Sequence, residues 1–405
     1  MQATLSKKRL RAHQTKAVRE SPDKWGLWFK MRVGKSPTAI RLVTTRCKSG
    51  LIICPKGIVK QWEDEIRVWG DGETKFKVIS RDQFKIQIND IEKYEAVICD
   101  EVHRGFANYK ALMYKALMFY IKRYEVNYIW LLTGTPFTSS SWSVYSYGKI
   151  LGKKWKWFAW SKEFFTKIRM GRRWIPIPRY GKDKKLQNTL RSIGTVIDLK
   201  DVAEIADDID IIEEFKLNKE QIKRIDEIDE ELPVVEYIKQ RQIEQGVLKS
   251  DGYNPDMIFT SAKDKRLIEI VANYEKIIIV CKYTNQVNKI AEMLKYRKVF
   301  VISGQVKETA SEVAEKAENS ENCVVVIQSD TCDGYSLKSF DTMVFASMSY
   351  SFVNYDQIRS RMKSMEKKTA CTYIHLLIGG KSIDRAVQDS VFKKQNFSIE
   401  LYEKR

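Results

Sequence analysis

An α/β protein of two parallel-sheet domains, joined by a basic and largely helical middle segment, is predicted by three features of this 405-residue chain. Short apolar runs alternate with amphipathic stretches from Gly26 to Leu132, the same grammar returns after Ser261, and the sequence between them changes character. The length suits two or three domains, each able to bury its own core. The boundaries read from the pattern are 1–137, 138–260 and 261–405.

In the first domain the strand-like runs are GLWFKM, GLIIC, FKVIS, YEAVICD and NYIWLLT, with helix-like SPTAIRLVTTR and GIVKQWEDEIRVW between them. Near-continuous apolar runs of this length predict strands buried on both faces, as in a parallel sheet flanked by helices. In the last domain the alternation is helix AKDKRLIEIVANY, strand KIIIVC, helix NQVNKIAEML, strand KVFVIS, helix ETASEVAEKAEN and strand CVVVIQS. It finishes with strand DTMVFAS, helix NYDQIRSRMKS, strand ACTYIHLLI and a helix from Ser382. The middle segment is basic and Trp-rich, then acidic at VAEIADDIDIIEE, then helix-like over NKEQIKRIDEIDEELPVVEYIKQRQIEQ.

Composition narrows the function class. Apolar residues make up 43% and aromatics 11%, which is the balance of an ordered globular protein. The formal charge of +19 creates a field attractive to polyanions, so nucleic acid leads the partner classes, with solubility charge as the plain alternative. Over 149–185 there are 13 Lys or Arg against 2 acids, so more than half the net charge sits in 37 residues. The 7 cysteines lack the close spacing of a zinc or redox motif, and Cys54, Cys99 and Cys281 each end an apolar run, where a thiol acts as a small hydrophobe. No apolar run nears the ~20 residues that span a bilayer, and the basic N-terminus carries no signal, so the expectation is a soluble cytoplasmic protein without a membrane partner.

Three short motifs carry chemistry. Arg32-Val33-Gly34-Lys35-Ser36 follows a strand and opens a helix, the context in which backbone N–H groups cradle phosphates, Lys35 neutralises the β- and γ-phosphates and Ser36 ligates magnesium. Phe29 stands where the glycine-rich consensus begins, and a bare Gly-Lys-Ser also arises by chance. Asp100, Glu101 and His103 end the run YEAVIC, where an α/β sheet presents ligand-binding groups; one carboxylate would hold the metal and the next would orient or deprotonate the attacking water, unless both are a solvated strand end. Thr133-Gly134-Thr135-Pro136 is either an ordinary turn or a hydroxyl-bearing link to the acidic pair.

In this order the motifs resemble the superfamily two helicase and ATPase core, and within it the Swi/Snf-like group. MRVGKS resembles the group's phosphate loop with Arg32 in place of a usual glycine, Leu10, Arg11, His13 and Gln14 its adenine-reading motif, and LIICPKGIVKQWEDEI its next motif, through Pro55, Trp62 and Glu65. DEVH resembles a DEAH-type box and LTGTP the motif after it. Ser261 and Lys263 match the start of the second domain, KIIIVCKYTNQVNKIAEML its fourth motif, and SDTCDGYSL its fifth through Gly334 and Leu337. The sixth motif keeps Gln357 and Arg361, but Ser364 occupies its terminal arginine position. The resemblance implies two RecA-like domains that bind ATP and Mg2+ between them, with Arg11, Gln14, Gly34, Lys35, Ser36, His103 and Gly334 on the nucleotide, Ser36 and Asp100 on the metal, and Lys35, Asp100, Glu101, Gln357 and Arg361 in catalysis. Arg361 is then the candidate finger, with Arg359 or Lys363 as substitutes; otherwise the ATPase is slow or inactive. It further implies a DNA translocase or helicase of minimal phage or bacterial type, working in replication, recombination or repair beside proteins of those pathways. Other readings are an RNA helicase, the motor subunit of a restriction or defence system, or a motor-fold module that binds or anneals DNA.

For nucleic acid, Lys56 and Thr133 follow from the motifs, and Lys153, Lys154, Lys156, Trp157, Arg172 and Arg173 from the basic segment, where Trp155, Trp157, Trp160 and Trp174 interleave with cations. The cations suit phosphates. The tryptophans either stack on unpaired bases or form the core of a small helical subdomain.

Overall fold

A computed structural model of the chain describes residues 9–136, 141–170, 173–179, 181–228, 233–249, 256–306, 308–331 and 333–393. The chain folds as two compact units, 1–203 and 204–405. The first unit contains β1 (Lys24–Phe29), β2 (Ser49–Cys54), β3 (Lys75–Ser80), β4 (Ala96–Cys99), β5 (Tyr128–Leu132), β6 (Phe165–Met170), β7 (Arg173–Pro178) and β8 (Gly194–Ile197). Six of them form a parallel sheet in the order β3-β2-β4-β5-β1-β8, and β6 and β7 form a separate antiparallel pair. All four residues of β4 are buried, as a central strand covered on both faces requires.

The second unit contains β9 (Ile209–Phe215), the short pair β10 (Val247–Leu248) and β11 (Met257–Ile258), then β12 (Lys276–Cys281), β13 (Val299–Ile302), β14 (Cys323–Gln328), β15 (Thr342–Phe345) and β16 (Thr372–Ile378). Its parallel sheet runs β13-β14-β12-β15-β16-β9. Apolar clusters on both faces of β12 and β14, through Ile278 and Val325 on one and Ile277 and Val324 on the other, explain the unbroken apolar runs of those strands. Two six-stranded parallel sheets flanked by helices are the predicted fold class.

The expected middle segment, 138–260, folds differently from the sequence reading. It is divided between the units, because β8 completes the first sheet and β9 the second. The acidic run that looked like linker is therefore an edge strand whose pairing with β16 extends over seven residues. The long helix-like run is two helices, Lys219–Asp226 and Pro233–Glu244, the second beginning on the proline, where a missing N–H costs nothing. The later helix is tied into its unit by Glu244, which accepts the backbone N–H groups of Ile383 and Asp384. Cys54, Cys99 and Cys281 are buried at their strand ends. Among the described residues no helix is long and apolar enough to cross a membrane.

Candidate nucleotide site and nucleic-acid surface

The loop between β1 and the helix Lys35–Arg46 is shaped by Gly34, whose φ of 84° is the left-handed conformation that favours glycine. A Cβ there would also lie 2.2 Å from Gln14 Nε2. That approach exists because Gln14, buried, donates Nε2 to the Gly34 carbonyl (3.1 Å) and accepts the Arg11 N–H at Oε1 (2.8 Å), while a ring nitrogen of His13 lies 3.0 Å from the Val33 carbonyl oxygen. The upstream motif thus rests on the phosphate loop; the Arg11 residue itself is exposed. Arg32 also has a positive φ, 68°, which accounts physically for glycine being usual at its place and leaves strain of about 1–2 kcal/mol. Lys35 Nζ donates to the Phe29 carbonyl (3.1 Å), and Ser36 and Pro37 sit in the first helical turn, whose orphan N–H groups and dipole favour an anion.

At the end of β4, Asp100 and Glu101 are both buried. Asp100 Oδ2 accepts the Trp62 indole N–H (2.9 Å) and Oδ1 accepts the Glu101 backbone N–H (2.8 Å). Glu101 is held at φ 46°, a strained backbone of the kind that collects at functional sites. Its carboxylate lies 3.2 Å from His103 Nδ1 and accepts from Thr133 Oγ1 (3.4 Å), and His103 Nδ1 is in turn 2.8 Å from Thr133 Oγ1 and 3.4 Å from Thr135 Oγ1. The acidic motif and the threonine turn are therefore one hydrogen-bonded network.

Burial, with the Glu101 charge beside it, pushes the Asp100 carboxyl up, against the opposing pull of Lys35 and the Trp62 hydrogen bond. Burial opposes ionisation of Glu101 as well, but His103 and Lys35 outweigh it and hold its carboxyl below the usual range. Of the two, Asp100 is therefore the first to take up a proton as the pH falls, and Glu101 stays ionised. Asp100 and Ser36 supply the hard oxygen donors that suit magnesium. His103 Nε2 is buried and has no hydrogen-bond partner among the described residues, leaving a polar edge open to an incoming group.

In the second unit, Gly334 takes a φ of 79° in the loop after β14, and Gln357 is buried on the helix Phe352–Arg359. Arg361 is also buried; its Nη1 donates to the Tyr335 carbonyl (2.9 Å) and its guanidinium lies over the Tyr335 ring. Arg359 and Lys363, offered above as substitute fingers, are engaged elsewhere. Arg359 binds Asp210 (2.6 Å) and Asp208 (3.2 Å), and Lys363 binds Asp208 (2.6 Å), so both fasten the acidic strand β9 and the residues before it. Ser364 Oγ accepts the Lys367 N–H (3.1 Å), a turn contact.

The nucleic-acid candidates divide. Lys56, Lys154 and Lys156 are exposed and Lys153 is half-buried. Thr133 is fully buried in the Glu101 network, which corrects its assignment to a nucleic-acid surface. Trp157 is likewise a packing residue: its ring stacks on Trp142 (4.5 Å between centroids) and contacts Tyr109, Tyr145 and Phe165. Trp155 stacks on the buried Trp160 (4.8 Å), so these tryptophans belong to the core of the first unit. Arg172 and the side chains of Arg173 and Trp174 lie outside the described residues.

Sequence reasoning named Trp62 only as a motif match, His13 only as part of a motif and Thr135 only as part of a turn. Their roles beside Asp100, the phosphate loop and His103 depend on contacts between distant segments, which spacing does not encode.

With this geometry in place, comparison with known families adds one finding: residues 262–365 match the helicase conserved C-terminal domain. This supports a helicase core of superfamily one or two. The match runs from the start of the helix region before β12 through the sixth motif, making the second unit the helicase C-terminal RecA-like domain of the pair. No curated protein matches the chain.

Proposed function

We propose that the chain is an ATP-dependent translocase of Swi/Snf-like type that moves along DNA. The observation that carries this is the hydrogen-bonded network of Asp100, Glu101, His103 and Thr133 at the ends of β4 and β5, with Lys35 acting on both carboxylates through its charge, beside a phosphate loop shaped by Gly34. Lys35 and the N–H groups of its helix bind the β- and γ-phosphates, and Gln14 and Arg11 set the loop's position. Ser36 and Asp100 hold magnesium, which when bound neutralises charge on the phosphates. Glu101, ionised and fixed by His103 and Thr133, orients the attacking water and draws its proton. Gln357, Arg361 and Gly334 are the second unit's contribution, Arg361 acting once it leaves the Tyr335 carbonyl. Exposed Lys56, Lys154 and Lys156 grip phosphates, and each hydrolytic cycle changes the grip of the two units on the backbone. The test is displacement of a triplex-forming oligonucleotide from a DNA duplex. ATP-dependent displacement by the wild type and none by Glu101→Gln supports the proposal; equal release with and without ATP overturns it.

A further inference from the structure

The tryptophans first suggested as base-stacking residues are used up in packing, yet the same helix carries an aromatic ring that is not. Phe158 is 80% exposed, more than any other large apolar side chain among the described residues. It lies on the helix Trp157–Phe164, whose Trp160 and Phe164 point into the core. Phe158 and Lys162 are four residues apart and share the outer face, with exposed Lys154 and Lys156 just before the helix. Among the described residues none of these three lysines has an acidic partner. The one acid of the helix, Glu163, is taken by Lys182 (2.8 Å) and Lys185 (3.0 Å), which brings the basic start of the helix Asp183–Arg191 against the same element.

A single exposed phenylalanine is ordinary on a protein surface; what sets this one apart is its company, Lys162 on the same helix face and exposed Lys154 and Lys156 just before the helix, none with an acidic partner among the described residues. A protein partner held by apolar contact would meet too little apolar area to bind, and an acidic one would pair with the lysines and leave the ring uncovered. A nucleobase with its flanking phosphates matches both features, the ring taking the π-face and the lysines the phosphates. We infer that Phe158 is a stacking site for an unpaired base, flanked by phosphate contacts from Lys154, Lys156 and Lys162. The inference rests on the nucleic-acid motor proposed above and assigns it a substrate with a single-stranded segment, such as a fork or branch. The helix that carries the ring is anchored by the stacks of Trp157 on Trp142 and of Trp160 on Trp155.

The experiment measures affinity for a blunt duplex, a single strand and a fork carrying 2-aminopurine in its unpaired arm, with the wild type, Phe158→Ala and Phe158→Trp. Expected are a loss of about 5- to 100-fold for the single strand and fork in Phe158→Ala, unchanged duplex affinity, restoration by Phe158→Trp, and a 2-aminopurine fluorescence change that follows the ring. Equal affinities of Phe158→Ala and wild type for all three DNAs, with duplex-stimulated ATPase intact, overturn the stacking site and leave the motor standing. No binding to any DNA and no stimulated ATPase overturn both. Because Phe158 is exposed, its replacement leaves the tryptophan core in place, which near-ultraviolet circular dichroism confirms for each variant.

Discussion

The edge of the first sheet and the sixth-motif region of the second unit both hold charged groups at motif positions, but they use them in opposite ways. At the first, Asp100, Glu101 and His103 are buried, strained or left with an open polar edge, and their partners are each other, Trp62 and the threonines of the neighbouring turn. In the second unit, Arg359 and Lys363 are spent on fastening Asp208 and Asp210, while Arg361, held at the Tyr335 carbonyl, stands outside that cluster. A group whose bonding is complete within its own unit is structural; a group held in place with capacity left over is poised for a ligand. The contrast is why the proposed hydrolytic chemistry is placed on Asp100 and Glu101, and it gives Arg359 and Lys363 a structural task.

The largest effect that would sharpen this contrast is expected from Gly34→Ala. The added Cβ meets Gln14 and the left-handed backbone, so the loop shifts and ATP turnover falls about 100-fold; turnover within a few-fold of wild type would show that the loop does not set the geometry. Next comes Trp62→Phe, which keeps the ring and removes the N–H that holds Asp100. The apparent magnesium requirement should rise about 10-fold or more, read from ATPase titrations with Mg2+.

Arg359→Ala tests the other side of the comparison. It should lower the unfolding free energy of the second unit by about 2 kcal/mol while leaving ATP turnover near wild type. A loss of turnover with unchanged stability would make Arg359 catalytic after all. The same cluster predicts a pH dependence. Burial opposes ionisation of Asp210, but hydrogen bonds from His375 and Arg359 hold its carboxyl well below the usual range. Its folded pKa is depressed, so its stabilisation is present above the ordinary aspartate value near 4 and is lost as pH falls through the folded value. Asp210→Asn should remove that part of the acid sensitivity, measured by thermal melts across pH. The smallest effect belongs to Arg32→Gly, where relief of left-handed strain is offset by a more flexible unfolded chain, leaving a change within about 1 kcal/mol.

Most of the two sheets was legible because buried parallel strands such as KIIIVC and CVVVIQS are continuous apolar runs. The short pairs β6–β7 and β10–β11 were missed, and the two strands missed from the six-stranded sheets lie at their edges. β8 is four residues long with one position exposed, and β9 is acidic and largely exposed, so its reason for being a strand is pairing with β16 and ion pairs to Arg266, Arg359 and Arg385 rather than burial. The candidate site was legible as motifs, since phosphate and carboxylate groups are placed by local strand-to-helix turns. What spacing could not distinguish was a buried ring from an exposed one, which is why Trp157 was put on the nucleic-acid surface and Phe158, its neighbour in sequence, was passed over.

The central claim, that a nucleic-acid-stimulated ATPase is built on Lys35, Asp100 and Glu101, is tested most directly by steady-state phosphate release without nucleic acid and with duplex, forked and single-stranded DNA and RNA. Stimulation by DNA is expected, with a rate for Glu101→Gln lower by about 100-fold or more. A wild-type rate equal to that of Glu101→Gln under every condition would contradict it and leave a motor fold that binds without hydrolysing.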